Sequence, residues 1–134
     1  MSDTNYCKKL KAKYYAEDRY PLSLGIEIKE LSPGYCAAEM KITEEMTNFH
    51  NITHGGALFS LADTAFGLAS NSRGPAVALQ VSINYMAPSG PGQCLEATAE
   101  EESLTRSTGV YNITVHNEKK ETVALFRGVV YRKS

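Results

Sequence analysis

Two features of residues 53–72, THGGALFSLADTAFGLASNS, could do chemistry. One is a lone carboxylate, Asp63; the other is the pair Gly55-Gly56, placed where a helix would begin. Leu58, Leu61, Ala62, Ala65, Leu68 and Ala69 recur at steps of three and four, so the stretch predicts one long helix over about 54–72. At about 100° per residue, Asp63 falls roughly opposite that stripe. The simplest reading has Asp63 facing water. Its surroundings argue otherwise: Gly56, Ser60, Gly67 and Ser70 share its face, and no Lys, Arg or Glu occurs between His54 and Ser72. A face of glycine and serine lets another backbone approach, although glycine inside a helix costs about 1 kcal/mol against alanine. The expectation is a helix buried on both sides, with Asp63 in a tight junction of the kind where unusual carboxylates mark sites.

The helix start is the second feature. The first amides of a helix have no internal partner and carry partial positive charge. In His54-Gly55-Gly56 no glycine side chain shields them, so an anion or a developing oxyanion could approach. Taken alone, HGG is an ordinary glycine-softened start with Thr53 as its cap; the combination with Asp63 makes it a candidate site. Gly55 and Asp63 are eight positions apart, about 12 Å along a helix rising 1.5 Å per residue. To cooperate, amide and carboxylate must each lie about 3 Å from one reacting centre and its nucleophile. One helix can hardly do that. Two antiparallel helices in a two-fold dimer can, with Gly55 beside the partner's Asp63.

The remaining chain supplies the frame. Residues 4–18 read as an amphipathic helix with Cys7, Leu10, Tyr14 and Tyr15 on one side, ended by Pro21. Leu24, Ile26 and Ile28 alternate in a strand, Ser32-Pro33-Gly34 turns, and residues 35–42 return as its hairpin partner. Residues 43–53 are an irregular loop leading into the long helix. Beyond the breaker Arg73-Gly74-Pro75, Val77, Leu79, Val81, Ile83 and Tyr85 alternate over a further strand with one apolar face. Three more strands follow, carried by Leu95, Ala97 and Ala99, by Tyr111, Ile113 and Val115, and by residues 123–131. The glutamates at 100–102 read as a solvated strand face. A sheet of antiparallel strands needs one face covered, and only the helix at 54–72 is long and apolar enough to cover it. The predicted class is therefore α+β, an antiparallel sheet wrapped around one central helix.

Asn48 and the segment HNITHGGALFSLADTAFGLASNS resemble the active-site segment of hotdog-fold acyl-CoA thioesterases, most closely the phenylacetate-pathway (PaaI-type) branch. The likeness continues through VSINYMAPSGPGQCLEATAE, TGVYNITVHNE and TVALFRG, so it covers nearly all of residues 1–134, the N-terminal helix least. It implies a single hotdog domain that hydrolyses acyl-CoA, on aryl-acetyl or related thioesters, and needs no cofactor. By resemblance Asp63 is the general base, or a nucleophile through an anhydride, and the Gly55 amide polarises the thioester carbonyl. Asn48 would orient water or thioester, or else simply shape a turn. His54 would act beside the glycines, or else fix the helix start through hydrogen bonds. Gly56, Phe59 and Phe66 are the candidates for substrate contact, although core packing explains the two phenylalanines equally well. Some relatives place a hydroxyl residue on the following strand; Ala78 and Leu79 depart from that pattern, and Thr64 is no substitute. The family implies homodimers with shared sites, commonly paired into homotetramers.

Composition narrows the rest. A net charge of −1 with both signs mixed suggests no nucleic-acid surface. No apolar run approaches the ~20 residues that cross a bilayer, and the N-terminus lacks a signal core, so a cytoplasmic protein is expected. Cys7, Cys36 and Cys94 form no CxxC pair and suit free thiols in a reducing compartment. His50 and His54 stand four apart but lack the companion glutamate of a zinc helix, and no metal is expected. Arg73, Arg106, Lys119 and Arg127 could meet coenzyme A phosphates, yet none is singled out. Two other readings remain: a non-catalytic acyl-CoA sensor, against which a retained Asp63 speaks, and a dehydratase, which needs a histidine paired with a carboxylate.

Overall fold

All six residues of the apolar stripe are buried, and they draw the segment into helix α3, Gly55–Asn71. The computed structural model describes residues 3–133. Before α3 come helix α1 (Asp3–Glu17), a short helix α2 (Arg19–Ser23), strand β1 (Glu27–Ser32) and strand β2 (Tyr35–Lys41). After it run β3 (Ala76–Tyr85), β4 (Cys94–Leu104), β5 (Thr108–His116) and β6 (Thr122–Arg132). The six strands form one antiparallel sheet in the order β1-β2-β4-β5-β6-β3, and α3 lies against one face, closest to β2 and β4. Small residues face each other there, Ala38 opposite Ala97 and Cys36 opposite Ala99, all buried. Further along, Phe66 of α3 settles against Tyr111 and Phe126 directly over Gly128. A Cβ at Gly128 would lie 2.5 Å from the Phe66 ring, so the sheet must be bare at that point. Burying a side chain of this size contributes about 1.5–3 kcal/mol.

Helix α1 is held to the sheet by its tyrosines. The Tyr14 hydroxyl donates to the Ile26 carbonyl at 2.7 Å, and the Tyr15 hydroxyl accepts from the Ile28 amide at 2.8 Å. Pro21 does not stop helical structure, as its type suggested; it is the third residue of α2. The first turn of a helix needs no internal N–H donor, so proline fits there. The strand expected from Leu24 begins only at Glu27, because Leu24 caps α2 and Gly25 takes φ +73°.

Two further expectations are corrected. The alternation of β3 is broken by a bulge between Ala78 and Gln80. Consequently Val81 and Ile83 pack on the core while Val77 and Leu79 are exposed. Nor are all three glutamates solvated. Glu101 points inward on the same alternation as Ala97 and Ala99, pairs with Arg73 at 2.9 Å and accepts from the Tyr111 hydroxyl at 3.1 Å. Glu102 lies outside, bound by Arg127 and Asn112, which hold its carboxyl down at about 2.

Candidate active site

The approach to α3 is tightly ordered. Asn48 Oδ1 accepts from the His50 amide at 2.9 Å and the Ile52 amide at 3.4 Å, and Asn51 adopts φ +61°. A bridge between Thr47 and Thr53 closes the loop. Ser89, on the β3–β4 connection, straps it down: its carbonyl accepts from the Thr53 amide at 2.8 Å and its hydroxyl donates to Thr53 Oγ1 at 2.7 Å. Thr53 is thereby occupied and does not cap the helix, contrary to expectation. His54 is the cap, its Nδ1 accepting from the Gly56 amide at 2.9 Å.

That bond separates the two glycines. The Gly56 amide is spoken for, so it cannot serve a ligand. The Gly55 amide has no hydrogen-bond partner among the described residues. Tyr85, at the end of β3, donates its hydroxyl to the Gly55 carbonyl at 3.1 Å. A Cβ on Gly55 would lie 3.1 Å from the Tyr85 ring, so glycine lets the ring come close. Gly55 and Asn48 share a cavity of about 370 Å³ with Leu58, Tyr85 and Met86. Tyr85 was legible only as one more apolar strand residue; nothing in its spacing marks a contact 30 positions back.

Asp63 lies elsewhere. It lines a second cavity of about 580 Å³, whose α3 side carries Phe59, Ser60, Thr64 and Gly67. The opposite wall is N-terminal, built from Leu10, Asp18, Tyr20 and Pro21. In the single chain Asp63 keeps contact with water, so the tight junction expected around it is not formed by this chain alone. No hydrogen bond or ion pair reaches its carboxylate among the described residues. Desolvation in the cavity raises its pKa, and the Asp18 charge adds to the rise. Thr64 gives its hydroxyl to the Ser60 carbonyl at 2.7 Å and is consumed inside the helix. Phe59 packs on Phe126 at 5.5 Å and still reaches the Asp63 cavity. Phe66 does not: at 1% exposure it belongs to the core. No cluster of metal-ligating side chains occurs among the described residues.

The chain thus holds an unpartnered helix-start amide and an unpartnered carboxylate on one helix wrapped by one sheet. The thioesterase superfamily profile matches residues 50–124, which span the loop, α3 and the sheet as far as β6. The chain belongs to the thioesterase superfamily. Within it, the chain is 44% identical over 119 residues to the acyl-coenzyme A thioesterase PaaI of Escherichia coli, covering 88% of this chain and 85% of that one. Among solved structures it resembles the E. coli PaaI protein of the phenylacetic acid degradation operon, with a TM-score of 0.95 at 40% identity over 99% of this chain and 97% of the other. A Thermus thermophilus superfamily protein, TT0310, matches with a TM-score of 0.85 at 42% identity, over 87% of this chain and 99% of that one. The architecture is the hotdog thioesterase fold, α+β with a six-stranded antiparallel sheet around a central helix.

Proposed function

We propose that the protein hydrolyses acyl-CoA thioesters, aryl-acetyl thioesters among them, at sites shared between two subunits. The observation that carries this reading is the Asp63 carboxylate, left without a partner in a cavity large enough for an acyl group. As general base, Asp63 removes a proton from water; the resulting hydroxide bonds to the thioester carbon, and the carbonyl oxygen becomes an oxyanion. The Gly55 amide of the adjoining subunit donates to that oxygen. Collapse breaks the carbon–sulfur bond, and the proton held on Asp63 goes to the departing coenzyme A thiolate. The alternative is direct attack by the carboxylate, an anhydride and then its hydrolysis. Asn48, beside Gly55, orients water or thioester, and His54 acts by holding the helix start.

Three features support the shared site. Gly55 and Asp63 line different cavities, which agrees with their ~12 Å separation along the helix. Strand β3 is a ten-residue open edge with Val77, Leu79, Tyr85 and Met86 exposed, suited to pairing with its two-fold copy. Gly67 on α3 has nothing within 4 Å of where its Cβ would be, room that a partner could fill. Exposed Leu125 and Tyr131 on β6 offer a surface for pairing dimers into a tetramer. Three cysteines without disulfides suit the cytoplasm, and no described helix is long and apolar enough to cross a membrane.

Asp63→Asn tests the mechanism. Turnover, read as coenzyme A release, should fall at least a thousandfold while calorimetric binding of a non-hydrolysable acyl-CoA analogue stays within about threefold. Unchanged turnover would remove Asp63 from the chemistry. Hydrolysis in ¹⁸O-labelled water under single-turnover conditions separates the two routes, since only the anhydride route leaves label in the enzyme.

A further inference from the structure

Tyr20 is 64% exposed, yet it is not loose. Its hydroxyl lies 2.9 Å from Ser60 Oγ, and Ser60 gives its own proton to the Gly56 carbonyl at 2.8 Å, so Tyr20 is the donor. The bond ties a residue of α2 to the helix that carries Asp63. Tyr20 therefore stands on one wall of the Asp63 cavity, with Phe59 on the other. Its backbone is fixed as well, because Pro21 beside it is buried and the amides of Leu24 and Ile26 both bond the Pro21 carbonyl at 3.1 Å. Nothing in the proposed hydrolysis uses this side chain. An aromatic ring on each wall, both anchored, makes a slot that accepts a flat group edge-on or stacked.

We propose that Tyr20 is the selectivity wall of the acyl cavity, holding aromatic acyl groups against Phe59 in preference to linear ones of the same size. The proposal rests on Asp63 being the group that meets the thioester. With the reacting carbon at Asp63, the acyl group extends into the same cavity and must pass the Tyr20 ring. The hydroxyl contact to Ser60 fixes the ring's distance from α3, and so the width of the slot. A short acyl group ends before reaching it.

The test compares kcat/KM for phenylacetyl-CoA, hexanoyl-CoA and acetyl-CoA across the wild type, Tyr20→Phe and Tyr20→Ala, with Asp63→Asn run alongside. Tyr20→Ala should lower the phenylacetyl-to-hexanoyl ratio about tenfold and leave acetyl-CoA within about twofold, as loss of one wall of a binding slot predicts. Tyr20→Phe keeps the ring but loses its tether, and should lower the ratio about threefold. A ratio that stays flat in both variants, or a parallel fall for all three substrates, overturns the proposal. If Asp63→Asn retains turnover, the placement of the thioester fails instead, whatever the Tyr20 ratios do.

Discussion

The His54 cap decides which amide can meet an anion. Because Nδ1 takes the Gly56 N–H, only the Gly55 N–H remains, and its contribution can be isolated. Gly55→Pro removes the donor at a helix position where proline is tolerated, and His54 has the extended backbone, φ −63° and ψ 138°, that precedes proline comfortably. Gly55→Ala places a comparable Cβ against Tyr85 but keeps the N–H, so it controls for crowding. The proline variant should have a kcat about a hundred- to a thousandfold below the alanine variant, measured by coenzyme A release. Asp63 makes a pH prediction. Cavity burial and Asp18 raise its pKa, while Tyr20 is the other titratable group facing it. Asp18→Asn should therefore shift the acid limb of kcat/KM to lower pH. The sign for stability is opposite to that of a paired carboxylate: the folded protein binds the proton more tightly, so ionising Asp63 destabilises it as pH rises. Asp63→Asn should accordingly raise Tm by a few degrees at pH 7 and by nothing near pH 3, a gain obtained at the expense of turnover. From sequence, Asp63 and Gly55 stood out because composition around them was unusual. The cap did not, since threonine is the better cap by type and only Ser89, far along the chain, shows why Thr53 is engaged.

Elements were legible wherever one period ran unbroken. The stripe of α3 and the inward sets of β4 and β5 follow their spacing residue for residue. Glu101 was legible too: its odd position among Leu95, Ala97 and Ala99 places it inward, a consequence hidden by its acidic neighbours. The bulge in β3 was not, because Val77 through Tyr85 fit a perfect alternation and the extra residue is imposed by pairing with β6. Likewise α2 depends on where α1 is anchored by its tyrosines rather than on its own five residues. The glycines of α3 and β6 make a paired test. Gly128→Ala must displace the Phe66 ring and should cost about 1–3 kcal/mol in denaturant unfolding. Gly67→Ala meets nothing in the single chain and would stabilise an isolated helix by about 1 kcal/mol. If a second subunit approaches Gly67, that gain disappears and the dimer weakens, which sedimentation would read as a lower association constant.

At the scale of the whole molecule, the sequence indicated that one chain could not complete a site but left the mating surface unnamed; the exposed edge of β3 supplies it. Shared sites predict complementation. Mixing inactive Asp63→Asn and Gly55→Pro subunits in equal amounts, with exchange, should restore about one quarter of wild-type activity, since half of the dimers are mixed and each has one intact site. Leu79→Lys, a charge on the open edge, should yield monomers without turnover. The two tyrosines of α1 bear on the same edge arithmetic from the other side. A sheet has two ends, and either could recruit another chain. At the β1 end, Tyr15 occupies the Ile28 N–H and the register slips between Ile28 and Glu30. One terminus is therefore stoppered and the other adhesive. Strand-by-strand growth stops at two copies instead of running on into a fibre, so the N-terminal helix works as a chain terminator for the sheet.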